Sequence, residues 1–260
     1  MLLQSVTLDK QISENTGYPF SLPIIQNFQS MHFQKPVTIF VGENGSGKST
    51  LLEAIASNIG SILISGGNID DDPSLEPARQ LAAALKLSWK LKTKAGFFFR
   101  ANDFNTFTSR IAAMKRESQQ RVDEIKKKDP FSLEVMPYAR TLGELKDLYG
   151  EGLEYRSHGE SFLDLFQARF REDGLYILDE PEAPLSPLKQ LSLISLINEM
   201  VEKNGQFIIA THSPILMALP GADIYSMEED TFVKRDYQDL EHVRLTKDFL
   251  NNPSSFLRHL

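Results

Sequence analysis

Apolar residues in this chain fall into short unbroken runs separated by polar, turn-forming stretches. Val37-Thr38-Ile39-Phe40-Val41, Gly96-Phe97-Phe98-Phe99, Leu175-Tyr176-Ile177-Leu178 and Gln206-Phe207-Ile208-Ile209-Ala210 are rich in β-branched and aromatic residues. Runs of this length without alternation predict strands covered on both faces. Helical spacing lies between them. Phe162, Phe166 and Phe170 recur at i, i+4 and i+8. Leu191, Ile194, Ile197 and Val201 form a second stripe, opened by Ser186 as cap and Pro187 in the first turn. Strands alternating with helices predict an α/β fold with a mostly parallel core sheet.

The remaining stretches read in the same way. Ser5 to Leu8 and Gly17 to Phe20 predict an N-terminal, antiparallel β part, and Ile62 to Ser65 a short strand. Pro77 to Leu91 predicts a helix, with Leu81, Leu85 and Trp89 on one face. A charged helix is predicted over residues 105–128, stopped by Asp129-Pro130. Thr141 with Glu144, and Ser157 with Glu160, are spaced as capping boxes opening two further helices. Ile224 to Met227 and Thr231 to Arg235 predict a closing pair of strands, and residues 246–260 a terminal helical segment. The whole reads as one domain over 1–260, with a helical subdomain at about 75–170.

Composition narrows the classes. The chain has 260 residues, 41% of them hydrophobic, enough for one large core. Its formal net charge of −7 excludes a protein that is basic as a whole. Lys115, Arg116, Arg121, Lys126, Lys127 and Lys128 crowd the charged helix, but Glu117, Asp123 and Glu124 are interleaved. A solvated face and a partner surface both fit, and any DNA binding is expected to be weak and salt-sensitive. With no cysteine there is no disulfide or thiol chemistry, which suits a reducing, cytoplasmic location. The first residues lack the pattern of a signal peptide, and no apolar run approaches ~18 residues, so no membrane segment is expected.

The chemistry gathers at the ends of the apolar runs. Gly42-Glu43-Asn44-Gly45-Ser46-Gly47-Lys48-Ser49 fits Gly-x4-Gly-Lys-Ser/Thr, the phosphate-binding P-loop. It follows a predicted strand and precedes a predicted helix, so backbone N–H groups and a helix N-terminus converge on one anion. The predicted phosphate-binding set is Gly42, Asn44, Gly45, Ser46, Gly47, Lys48, Ser49 and Thr50. Lys48 would reach the β- and γ-phosphates, and Ser49 would ligate Mg²⁺. Asp179 and Glu180 end another buried run. One acid there can hold Mg²⁺ and the next can orient or deprotonate a water. His212 follows the next run. Tyr18 and Phe20 are candidates to stack on a base or to cover the sheet edge. The acidic triplet Asp70-Asp71-Asp72 is a candidate metal site or a solvated loop.

The order of P-loop, Ser157-His158-Gly159-Glu160, strand with Asp179-Glu180, and strand with His212 resembles the ABC class of ATPases, from about residue 37 to 227. His158 stands where the class signature has glycine, and Ser186 where the D-loop usually has Asp. Arg100 or Asn102 stands where a Q-loop glutamine is usual. Most similar are the small stand-alone bacterial ABC-type ATPases often labelled AAA family ATPase, kin of SMC, RecF and OLD heads. The resemblance implies ATP and Mg²⁺ as ligands, catalytic roles for Lys48, Glu180 and His212, and metal ligation by Ser49 and Asp179. It also implies an ATP-dependent head-to-tail homodimer in which Ser157 and Gly159 close on the partner's nucleotide. The partner protein that reads such a switch is unidentified. A transporter's nucleotide-binding subunit is the alternative, and an inactive scaffold a third reading.

Overall fold

The structure, a computed structural model, describes residues 1–9, 17–64, 68–149 and 158–258, with backbone alone at 102, 104–107, 148, 149 and 158–161. Strand β1 (Leu3–Leu8), helix α1 (Pro23–Asn27) and strand β2 (Ser30–His32) lead into β3 (Val37–Val41). Helix α2 (Lys48–Ile59) follows the P-loop. Helix α3 (Glu76–Ala83) then runs into β4 (Leu85–Trp89). The small sheet has the order β2-β1-β4 and is antiparallel.

Next come β5 (Gly96–Arg100), α4 (Ala101–Lys128), α5 (Met136–Tyr149), α6 (His158–Arg169) and β6 (Leu175–Asp179). Helix α7 (Pro187–Glu202), β7 (Gln206–Ala210), α8 (Pro214–Met217), β8 (Asp223–Glu228), β9 (Thr231–Arg235), α9 (Glu241–Asn251) and α10 (Pro253–Leu257) complete the chain. The large sheet has the order β5-β6-β7-β3-β8-β9, parallel except for the β8–β9 hairpin.

The unbroken apolar runs are buried on both faces because side chains alternate across a strand. Phe97, Phe99, Tyr176, Leu178, Phe207 and Ile209 face a core with α6 and α7. Phe98, Ile177, Ile208 and Ala210 face the other core, against α2, α3 and β1. The Phe162, Phe166 and Phe170 face of α6 packs on Phe97 and Phe99 with ring centroids 5.0–5.7 Å apart. The fully buried Gln206 stitches the two sheets. Its Oε1 accepts N–H bonds from Leu2 and Leu3, and its Nε2 donates to Leu3 O. Among the described residues no helix is long and apolar enough to cross a membrane.

Several local expectations change. The helix expected over Pro77 to Leu91 ends at Ala83, and Leu85 to Trp89 pairs with β1. A spacing of four fits period two as well as period 3.6, so the Leu81, Leu85, Trp89 pattern did not discriminate. Gly17 to Phe20 forms turns leading into α1 rather than a strand, since Pro19 and Pro23 cannot donate to a ladder. Ile62 and Leu63 make only isolated bridges. Thr141 lies inside α5, where its hydroxyl donates to Pro137 O and Glu144 pairs with Arg140. The buried face of α7 is Gln190, Leu193, Ile197 and Met200, and Leu191 is exposed.

Candidate active site

Strands β6, β7 and β3 are neighbours and parallel, so their C-terminal ends open on one edge of the sheet. The P-loop leaves β3, Asp179 ends β6, and His212 follows β7. Ligand sites of open α/β sheets lie at this edge. Asp179 is in register with Ala210 of β7, and so is Phe40 of β3. The small Ala210 lies between the P-loop strand and the acidic strand, and Ser49 Oγ donates across it to Asp179 Oδ1 at 3.1 Å.

Gly47 caps α2 in the left-handed region at φ +93°, and a Cβ there would fall 2.6 Å from Ile24 Cγ2. Glycine is therefore what lets α1 pack beneath the loop. Lys48 Nζ donates to Gly42 O and Glu43 O, both at 2.7 Å, and to Ser46 Oγ at 3.1 Å. Burial lowers the Lys48 pKa, opposed by attraction to Asp179, Glu180 and Glu43. The Asp179 carboxyl is pushed up to about 6, chiefly by burial. The Ser49 hydrogen bond and Lys48 oppose that rise, and Glu180 adds to it.

Glu180 turns the chain at φ +50°, and its N–H donates to Ala210 O at 2.9 Å. A non-glycine residue in that region costs roughly 1–2 kcal/mol, strain of the kind held at functional sites. Glu182 Oε1 accepts the His212 N–H at 2.7 Å and so ties the histidine to the acidic turn. His212 Nε2 lies 3.6 Å from Glu180 Oε1 and is buried with no hydrogen-bond partner among the described residues. Burial lowers the His212 pKa, with Lys48 adding, Glu180 opposing and His242 adding. Ser213 caps α8 and donates to Gln190 Oε1 at 2.5 Å, anchoring the segment from below.

The profile of a family described as an AAA domain matches residues 20–136. An ABC transporter ATP-binding protein of Methanosarcina acetivorans is 30% identical over 210 residues, 78% of this chain and 72% of its own length. The chain belongs to the ABC class of ATPases. A siderophore transport system ATP-binding protein of Bacillus subtilis is 26% identical over 177 residues, 66% of this chain. That match spans 60% of the siderophore protein. The crystal structure of a nucleotide-free ATP-binding cassette from an ABC transporter superposes with a TM-score of 0.51 at 17% identity, covering 95% of this chain and 96% of that one. This last likeness is one of fold.

The edge of this ABC-type ATPase fits a magnesium nucleotide on its own geometry. Gly42, Gly45 and Gly47 shape the loop, and Asn44, Gly45, Ser46, Gly47, Lys48, Ser49, Thr50 and Glu180 line one cavity of about 200 Å³. Ser49 Oγ and Asp179 Oδ1 are paired oxygen donors of the kind Mg²⁺ takes. The unpartnered His212 Nε2 is a polar atom in need of a hydrogen-bonding ligand. Tyr18 also lines the cavity, and its hydroxyl hydrogen-bonds Thr50 Oγ1 at 3.2 Å. Phe20 is buried in the core instead, so of the two aromatics only Tyr18 stands at the site.

Ser157 of the signature-like stretch lies outside the described residues. Gly159 is in the first turn of α6, with its surroundings outside the description. Asn102 is likewise known by backbone alone. Arg100, in register with Asp179, is enclosed. Its guanidinium donates to Asp103 Oδ1 and Oδ2 at 2.8 and 3.0 Å, to Asp72 Oδ2 at 2.5 Å and to Ser74 Oγ at 3.2 Å. Glu53 of α2 lies 3.5 Å from it. Burial pushes Glu53 up to about 7, opposed by Arg100. Asp72, one acid of the candidate metal triplet, is thus engaged with Arg100. Sequence reasoning missed Glu53, Glu182 and His242. Of these only Glu182 stands near a motif, two residues after Glu180.

Proposed function

We propose that this chain binds and hydrolyses ATP with Mg²⁺ in a head-to-tail dimer and serves as a nucleotide-driven switch for a partner protein. One observation carries the reading. Lys48, Ser49, Asp179, Glu180 and His212 come together at the ends of three adjacent strands, with Ser49 bonded to Asp179 and His212 facing Glu180.

Each side chain has a chemical task. Phosphate oxygens replace the loop carbonyls as acceptors for Lys48 Nζ. Ser49 and Asp179 would hold Mg²⁺, which when bound neutralises developing phosphate charge. Glu180 orients a water and takes its proton as the water oxygen bonds to the γ-phosphorus. The bond from that phosphorus to the bridging oxygen breaks, leaving ADP and phosphate. His212 Nε2 is the hydrogen-bonding group for the γ-phosphate oxygens. Ser157 and Gly159 of the second subunit would close on the same phosphate, with the α6 N-terminus adding its partial positive charge. The helical subdomain, centred on α4, α5 and α6, would carry that closure outward. ATP drives the switch only by binding closed and open states with different affinity.

The names of the relatives favour a second reading, the nucleotide-binding subunit of a transporter. Steady-state ATP turnover tests the chemistry common to both. Lys48→Ala should abolish turnover and weaken nucleotide binding. Glu180→Gln should keep binding and lose about 10²-fold or more in kcat. Undiminished turnover in either variant contradicts the assignment.

A further inference from the structure

His242, the second residue of α9, lies beside His212 with ring centroids 5.8 Å apart and planes at 56°. Its position is fixed by its neighbours. Leu240 and Val243 on either side are buried in the core that also holds Leu216 and Met217 of α8. The Tyr237 hydroxyl donates to Pro214 O at 3.1 Å, fastening the start of this segment to the stretch that carries His212. The loop at His212 is therefore held three times, by Glu182 through its N–H, by Gln190 through Ser213 and by the C-terminal segment through Pro214. The His212 ring itself has no hydrogen bond at Nε2 to hold its side-chain angles. What it has is His242 at one side and Glu180 at 3.6 Å.

We propose that His242 is a positioning residue for ATP hydrolysis: its ring packs on His212 and fixes where Nε2 points, making the C-terminal helices part of the hydrolytic site. The inference rests on the proposed role of His212. It adds a consequence that role does not contain, namely that displacing α9 disarms the site while leaving the P-loop intact. Charge reinforces the packing. The charged groups facing His212 are Lys48 from α2, Glu180 and Glu182 from the turn after β6, and His242 from α9. Lys48 and His242 both oppose a proton on His212, and Glu180 favours it. Removing the His242 imidazole therefore makes His212 easier to protonate.

The test uses the full chain with His242→Ala and His242→Phe, following kcat and KM for MgATP against pH. His242→Ala should lose about tenfold in kcat, as for a misplaced catalytic group, with KM little changed. His242→Phe keeps a ring and should recover most of kcat. In both, the NMR titration of His212 should move to higher pH. Wild-type kcat and an unmoved His212 titration in both variants would overturn the proposal. So would an equal loss of kcat in both, accompanied by a fall in melting temperature, since that is damage to the scaffold. If wild-type chain binds ATP without turning it over, the parent reading fails instead. The pairing is then judged by the NMR titration of His212, which His242→Phe must shift upward; no shift overturns it.

Discussion

The strand ends of the large sheet and the α4–α5 arm treat charge in opposite ways. At the strand ends Lys48 and Asp179 are buried, and Glu180 sits in a strained backbone conformation. Along the arm, Arg121–Glu124 and Arg140–Glu144 pair in the open, and Phe131 at the turn is 92% exposed. Exposed pairs are worth little and cost little. Buried charges cost several kcal/mol each unless matched. The edge is therefore where the fold gives up stability to hold a geometry, and the aromatic core behind it supplies what is lost. The 28-residue α4, ~42 Å long at 1.5 Å per residue, continues directly from β5.

The sharpest break in this comparison is at Phe166. It is fully buried, with ring centroids 5.4 Å from Phe97 and Phe99 and 4.4 Å from Phe162. Phe166→Ala should cost about 3–5 kcal/mol in urea unfolding. Leu133→Ala on the arm should stay within about 0.5 kcal/mol. Similar costs for the two would mean that α6 is not pinned by the core.

Asp179→Asn sharpens the contrast with a smaller effect of opposite sign. The folded Asp179 takes a proton at about 6, against an ordinary value of 3.8. The stability tied to that protonation is complete below pH 3.8 and lost as pH rises through about 6. Asn keeps an acceptor for the Ser49 hydroxyl and cannot ionise. The variant should exceed wild type by about 1–3 kcal/mol at pH 8, with the difference closing at acid pH. A variant less stable than wild type at pH 8 would show that the buried charge is already matched by Lys48.

Much of this edge was legible in the chain because local signals coincide with it. Unbroken apolar runs give β3, β5, β6 and β7, and the residues that follow them are the P-loop, Asp179-Glu180 and His212. Parallel strands then bring those ends to one side without further information. What the chain hid was of two kinds. Leu85-Lys86-Leu87-Ser88-Trp89 alternates apolar and polar, yet its leucine and tryptophan also continue the helical spacing from Leu81, and only pairing with β1 decides. The Arg100 cluster and the His212–His242 contact join segments remote in sequence, Asp72 and Glu53 to Arg100, α9 to β7. No periodicity carries such information; it is created by the tertiary packing of α2, α4 and α9 against the sheet. The stripe on α7 failed at one residue: Leu191 turns out while Gln190 turns inward to reach Ser213 and Leu185 O, whereas Ile197 is buried and Ile194 and Val201 pack half-buried against the core.

In the proposed switch this edge is one half of a site that ATP closes between two copies. Sedimentation velocity of Glu180→Gln with and without MgATP reads that closure as a change of mass. Monomer is expected without nucleotide and dimer with it, and monomer again when Ser157→Arg is added, because the bulk of the new side chain would block the helix N-terminus that has to meet the other subunit's γ-phosphate. A Glu180→Gln chain that binds ATP and remains monomeric would contradict the switch.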